Sequence, residues 1–259
     1  MAWFAQRGET SACYLALCHQ ALAQARFEPA PALQTLARLL ALQSPDWPAL
    51  TLACGAGAEA KVAFFAGDAT RSRAALHRQV ALQEAAGAQH FGDLANLVML
   101  ERKAGHVERA VTLGLSLVER LRGTRAERSL NYARLNLAGA AIQAQNMTLA
   151  RSVITDAWPA AARFGLYQSW LYRLYELARA EGRSRAAVCF AQARLALADE
   201  GQVPADADDR RILQTELDQA AERWPADECE RLRCDGLALT HDTALALALA
   251  SPRAPDSGR

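Results

Sequence analysis

The side chains best suited to acid–base chemistry are scattered along this chain. Five histidines lie far apart, with no catalytic motif around any of them: His19, His77, His90, His106 and His241. A general base must lie within hydrogen-bond reach of a proton and an orienting partner, and no nucleophile-elbow, zinc-protease or paired-carboxylate pattern supplies one. We therefore predict helix-surface or turn histidines, no catalytic residues and no enzyme activity. A helical enzyme whose site residues meet only in the fold is the alternative left open.

A glycine-rich segment, GAGAEAK, resembles a phosphate-binding loop in outline. It contains Gly55, Gly57 and Lys61. Its spacing differs from the loop motif, however, and no hydrophobic strand precedes it. We therefore expect no nucleotide or other cofactor here.

The cysteines give no sign of a disulfide framework or a metal site. None of the six belongs to a C-x-x-C pair, and their spacing does not match zinc ligands: Cys13, Cys18, Cys54, Cys189, Cys229 and Cys234. Buried thiols in helices are the expected outcome. No secretory leader or membrane-length apolar run is present, so we predict a cytoplasmic location and no membrane association.

The charges exclude one class of partner. Lysine and arginine number 29 against 28 acidic residues, a net charge of +1. Proteins that hold nucleic acids through their phosphates concentrate positive charge, so we expect no direct nucleic-acid binding by this segment.

Apolar residues recur at intervals of three and four along Ala- and Leu-rich stretches, whereas alternating β-branched runs are absent. This pattern predicts helices and almost no strand. Aromatic residues are concentrated in one region: Trp158, Tyr167, Trp170, Tyr172 and Tyr175. Packing between the third and fourth helical hairpins is the favoured interpretation, and a ligand cage is the alternative.

An internal repeat organises these helices. Four segments each read as a helix, a turn and a second helix, with turn residues Gly67, Gly105, Gln145 and Gly182, which are 38, 40 and 37 positions apart. The period is slightly longer than the 34 of a tetratricopeptide unit. For the third turn we predict that Asn146 takes the left-handed conformation that glycine takes elsewhere. Five positions after each turn lies a small residue: Ser72, Ala110, Ala150 and Ala187.

The fold class predicted from this repeat is all-α: a right-handed α-solenoid of tetratricopeptide-like helical hairpins with C-terminal capping helices. An irregular bundle with chance spacing is the alternative. We assign residues 1–205 to the repeats, 206–250 to the capping helices and 251–259 to a disordered tail. We expect Gly236 to stop a helix, and Thr240 to cap the last one.

Four stretches resemble a known family as a set: ALQSPDWP (41–48), GTRAERSLNYARLNLAGA (123–140), DAWPAAARFGLYQSW (156–170) and CERLRCDGLALTHDTALALAL (229–249). They are similar to the C-terminal helical-repeat region of large bacterial transcriptional regulators with a helix-turn-helix domain and a P-loop signalling ATPase. In that family the repeats are thought to sense an inducer or partner. The sequence shows no phosphate loop and no recognisable DNA-reading helix, so we expect a fragment of such a regulator, a truncated gene or a free-standing relative, and carry over no ATPase or promoter-binding residue.

The resemblance implies a non-catalytic regulatory or sensor module that binds a small-molecule inducer or a protein partner. A stand-alone interaction scaffold is the second hypothesis. With tetratricopeptide geometry, the first helices of the hairpins would form a concave binding face from Met99, Arg102, Tyr132, Tyr172, Glu176 and Arg179. The oligomeric state is left open.

Overall fold

The computed structural model describes residues 9–89, 91–200 and 207–250. Every regular element in these ranges is an α-helix, and they contain no strand, which confirms the predicted all-α class. The helices are α1 Thr10–Gln24, α2 Pro29–Leu42, α3 Ala49–Phe65, α4 Ala69–Ala85, α5 Phe91–Lys103, α6 Val107–Leu121, α7 Glu127–Gln143, α8 Met147–Ala161, α9 Tyr167–Ala180, α10 Ser184–Asp199, α11 Ala207–Arg223, α12 Ala226–Leu237 and α13 His241–Leu249. His90 and the tail 251–259 lie outside the described residues.

The chain divides into two compact units, with the boundary after Leu113, inside α6. In the first unit α1 packs on α2, α3 packs on α4, and α1 also contacts α3. In the second unit α7 pairs with α8, α9 pairs with α10, and α7 contacts α9. Helices α11 and α12 pack on α10, and α13 lies against α8, α9 and α10.

The four repeat turns have one backbone conformation. Gly67, Gly105, Gln145 and Gly182 all have positive φ, between 57° and 84°. The amide after each turn residue donates to a carbonyl five positions earlier, as Arg183 does to Ala178 at 2.8 Å. This bond satisfies carbonyls that the helix end leaves without a partner.

The prediction for Asn146 is wrong. Gln145 itself takes the left-handed conformation, with φ 57°, although it carries a side chain. Asn146 has negative φ and instead caps α8, because its side-chain oxygen accepts the amide proton of Leu149 at 3.1 Å. A short polar side chain at the N-cap position stabilises the helix, because it accepts a hydrogen bond from a backbone amide that has no other partner. One position earlier, the same side chain could only reduce backbone strain.

The small residue after each turn is buried in all four hairpins: Ser72, Ala110, Ala150 and Ala187 are each at most 1% exposed. In the α3–α4 hairpin the hydroxyl of Ser72 donates to the carbonyl of Ala60 at 2.8 Å. A side chain that reaches the opposite backbone shows how closely these two helices approach. Larger side chains at these positions would push the helices apart.

We predict that Ala150→Leu lowers the free energy of unfolding by about 1–3 kcal/mol, because added methylenes overpack a filled site. Ser152→Leu is the matched control, since Ser152 is exposed on the same helix. Thermal unfolding of both variants and the wild type measures the difference. Equal melting temperatures for Ala150→Leu and wild type would disprove the repeat register, and with it the assignment of Tyr132 to a binding face.

Two sequence predictions for the C-terminal helices can be compared with the structure, and that for Thr240 is confirmed whereas that for Gly236 is wrong. Thr240 caps α13, and its hydroxyl accepts the amide proton of Thr243, as expected. Gly236 does not stop a helix, because α12 continues to Leu237. A Cβ at Gly236 would lie 2.7 Å from the carbonyl oxygen of Cys189 on α10. Glycine at this position therefore permits close packing of α12 on α10, not a helix end.

Candidate functional site

Three of the six residues predicted for a concave face lie together on α9, in the second unit. Tyr172, Glu176 and Arg179 are spaced by four and three positions, which places them on one side of a helix. Tyr172 is buried, Glu176 is half-buried and Arg179 is exposed. Helical spacing therefore places these three residues on one side of α9, and their assignment to a binding face stays a prediction.

This side of α9 is in contact with α11. The buried carboxylate of Glu216 accepts hydrogen bonds from Arg179 Nη1 at 2.5 Å and from Tyr175 Oη at 3.3 Å. Burial, followed by the charge of Glu216, raises the pKa of Tyr175 to about 12. Burial and the nearby Asp209 carboxylate also raise the pKa of Tyr172. Helix α11 of the same chain, through the carboxylate of Glu216, thus covers part of the predicted binding surface.

Arg173 adds a largely buried charge beside these residues. Its guanidinium pairs with Glu176 and lies 5.4 Å from the centre of the Tyr172 ring. Burial opposes the charged form, but the Glu176 carboxylate outweighs it, so the pKa of Arg173 is raised. A Cβ at Gly139 of α7 would lie 3.1 Å from this guanidinium. The glycine therefore leaves room for the ion pair.

The other three predicted residues lie elsewhere. Tyr132 is half-buried on α7, in the second unit. Met99 and Arg102 are half-buried on α5, in the first unit. The assignment of all six residues to one binding face therefore stays a prediction.

A polar cluster around Glu101 was not predicted from the sequence. The side chain of Glu101 is fully buried, and its two carboxylate oxygens accept from His77 Nε2 at 2.5 Å and from His106 Nδ1 at 2.7 Å. Arg73 and Arg109 lie within 3.8 Å of the same carboxylate. A single acid thereby joins α4, α5, the turn after α5 and the start of α6.

The charges of this cluster favour an ionised Glu101. Burial alone would raise the pKa of this carboxyl, but hydrogen bonds from His106 and His77 and the charge of Arg109 outweigh burial, and the pKa lies below its ordinary value of 4.5. Because a carboxylate only accepts, the Nε2 of His77 that faces Glu101 carries a proton. His106 Nδ1 lies between Glu101 Oε2 at 2.7 Å and Arg73 Nη1 at 2.6 Å. These five side chains include no hydroxyl or thiol, so the cluster orients two imidazoles without presenting them to a nucleophile.

An open depression of about 570 Å³ adjoins this cluster, lined by Gly105, His106, Val107, Glu108 and Arg109. Its walls come from one turn and the first residues of α6. A site that encloses a small ligand usually draws walls from several elements. The depression is therefore a surface feature of the turn.

The aromatic concentration is mainly a packing feature. Trp158 is buried and stacks on His241 with ring centres 4.6 Å apart, and its indole N–H donates to the carbonyl of His241 at 3.0 Å. His241 Nε2 returns a hydrogen bond to the carbonyl of Trp158 at 3.0 Å. Trp170 is fully buried and donates to the side-chain oxygen of Asn131 at 2.9 Å. Trp170 joins the third and fourth hairpins, as the favoured interpretation predicted, whereas Trp158 packs against α13.

Two arginines hold the other end of α13. Arg183 donates to the carbonyls of Leu247 and Ala248 at 2.8 and 2.6 Å, and Arg151 donates to that of Leu249 at 3.1 Å. Both arginines also pair with the carboxylate of Glu181. Cations at a helix C-terminus satisfy its free carbonyls and its negative dipole.

The glycine-rich segment has no loop geometry, because Gly55, Gly57 and Lys61 all lie inside α3. A Cβ at Gly55 would collide with the hydroxyl of Tyr14 on α1, so this glycine serves packing. In the three described ranges, no group of three or more His, Cys, Asp or Glu side chains is placed to hold a metal ion. No helix in those ranges is long and apolar enough to cross a membrane.

In the described ranges the chain is all-α, with helices paired in hairpins and with buried charges such as Glu101 and Glu216 hydrogen-bonded to neighbouring helices. No protein-family model matches the chain, and no curated protein or solved structure is significantly similar to it. Its function is therefore inferred from its own geometry.

Proposed function

We propose that this chain is a non-catalytic regulatory or sensor module of the type found in bacterial signalling-ATPase transcriptional regulators. In this proposal the hairpins form a right-handed, tetratricopeptide-like solenoid. Their first helices bind an inducer or a protein partner. The observation that carries the proposal is the recurrence of one turn conformation followed by one buried small residue in four successive hairpins.

The polar clusters support a binding role over a catalytic one. Glu101 is engaged by two histidines, and Glu216 by Tyr175 and Arg179. Both carboxylates are buried, and these partners lie on neighbouring helices or turns, so the two charges serve to join these elements. Repeat modules of stacked hairpins use their extended surfaces for binding.

Two half-buried methionines allow a matched test of the binding face. Met99 lies on α5, a first helix, and Met147 lies on α8, a second helix. We expect Met99→Ala to weaken binding of the partner by about tenfold, as interface anchors do when truncated, and Met147→Ala to leave it unchanged. The partner is identified by crosslinking and mass spectrometry in the native host, and its dissociation constant is measured by calorimetry.

The same experiment can reject the proposal. If Met99→Ala and Met147→Ala weakened partner binding equally, the proposal that the first helices form the binding face would be wrong. Chemical turnover of a co-purified molecule by the full chain would contradict the non-catalytic role.

A further inference from the structure

Two arginines of the second unit each have a buried nitrogen atom without a hydrogen-bond partner. Arg194 lies on α10 and is 6% exposed, and its Nη1 is one of these atoms. Arg173 lies on α9, and its Nε is the other, although its Nη1 pairs with Glu176. A buried N–H of a charged group loses its hydration, and only an acceptor offsets that loss. We call these two N–H groups the unpaired donors.

Arg183 shows how a buried arginine is accommodated elsewhere in this unit. Its side chain is 10% exposed, and it pairs with Glu181 and donates to the carbonyls of Leu247 and Ala248. Burial lowers the pKa of both Arg183 and Arg194, because an apolar environment opposes the charged form. Arg194 Nη1 has no such acceptor, so the chain by itself leaves part of this buried charge without a hydrogen bond.

The carboxylate of Asp209, in the first turn of α11, acts on both arginines. Its negative charge acts to raise the pKa of Arg173 and of Arg194, against the effect of burial, so both guanidinium groups lie near this one carboxylate. Asp209 is half-buried, and its neighbours Asp208 and Arg210 are exposed. The unpaired donors thus belong to one region between α9, α10 and α11, and this region reaches solvent at the start of α11.

We propose that this region binds a small carboxylate, with Arg194 Nη1 and Arg173 Nε as donors to it. Guanidinium groups and carboxylates match in charge and in hydrogen-bond geometry. A phosphate is less suitable, because it carries about two negative charges beside the carboxylates of Glu176 and Asp209. The Tyr172 ring lies 5.4 Å from the Arg173 guanidinium, which favours a ligand that also has an aromatic part. Such a ligand would be the inducer of the proposed sensor role, on which this assignment rests.

Calorimetry and thermal unfolding of the full chain with sodium benzoate, acetate or phosphate test this site, with sodium chloride at equal ionic strength as the control. We expect benzoate to raise the melting temperature and to bind with a dissociation constant of about 1 mM or below, as an efficient ligand of its size does. Phosphate should have no more effect than chloride. Met99→Ala should leave benzoate binding unchanged, so this site and the partner-binding face fail separately.

Arg194→Met separates a ligand-binding role from a structural one. Methionine keeps an apolar stem and removes a buried charge, so we expect the ligand-free variant to unfold at the wild-type temperature or above. Its benzoate dissociation constant should rise at least about tenfold. Arg185→Met is the matched control on the same helix, because Arg185 pairs with Glu228 near the surface. Arg173→Lys keeps a charge beside Glu176 but removes the Nε–H, and should weaken benzoate binding about tenfold.

Four results would overturn the proposal. The first is a wild-type chain that binds neither benzoate nor acetate up to about 50 mM. The second is tighter binding of phosphate than of benzoate. The third is unchanged benzoate affinity in Arg194→Met. The fourth is a ligand-free Arg194→Met chain that unfolds far below wild type, because that loss would show that Arg194 serves the fold.

Discussion

Trp158→Ala is expected to lower the free energy of unfolding by about 3–5 kcal/mol, the usual range when a buried tryptophan is truncated. The indole is 2% exposed, stacks on His241 and donates to its carbonyl. Its removal leaves a cavity and also frees the first residue of α13. Urea unfolding followed by circular dichroism measures the loss. Limited proteolysis should show earlier cleavage around residues 238–240.

Trp158→Phe separates packing from the hydrogen bond. Phenylalanine keeps an aromatic ring against His241 but has no N–H, so we expect a smaller loss, closer to the cost of one unmade buried hydrogen bond, about 1–3 kcal/mol. Equal stability of Trp158→Ala and wild type would show that α13 contributes little to the second unit.

Glu101→Gln is expected to lower the free energy of unfolding at neutral pH by about 3 kcal/mol, because hydrogen bonds to a charged group are replaced by neutral ones and two arginines lose their counter-charge. The amide keeps the size of the side chain, so the change in charge dominates. Glu119→Gln is the matched control, since Glu119 is an exposed glutamate with its own arginine partner, Arg122. Its loss should be within about 0.5 kcal/mol.

The pH dependence of the free energy of unfolding, compared between wild type and Glu101→Gln, gives a second readout. The pKa of Glu101 is lower in the folded chain than its ordinary value of 4.5. A lowered carboxyl pKa stabilises the fold above the unfolded-state value, and this stabilisation disappears as pH falls through the folded-state pKa. The stability difference between wild type and Glu101→Gln should therefore shrink below about pH 4.5. A difference that stays constant between about pH 7 and about pH 3 would contradict the assigned role.

The sequence was sufficient for features that depend on neighbours along the chain. The spacing of apolar residues predicted helices, and the turn glycines with a small residue five positions later predicted the hairpins. Thr240 was identified as a cap because capping involves only the next three residues. The helical period of 3.6 residues likewise placed Tyr172, Glu176 and Arg179 on one side of α9.

Contacts between distant segments could not be read in this way. Glu101 lies 24 positions from His77, and Trp158 lies 83 positions from His241. Glu216 was assigned to a capping helix, yet only the tertiary structure shows its carboxylate against Arg179. Gly236 resembles a helix stop in sequence, although it permits contact with the backbone at Cys189.

A helix pattern specifies which side of each helix is apolar, because side-chain direction repeats every 3.6 residues. It does not specify which polar groups from other helices will face that side. That choice depends on how the helices cross and how closely they pack, and the free energy of burying a charge then decides which partners must surround it. The local pattern thus determined the helices and turns of this protein, whereas the tertiary structure decided which groups Glu101, Glu216 and His241 bind.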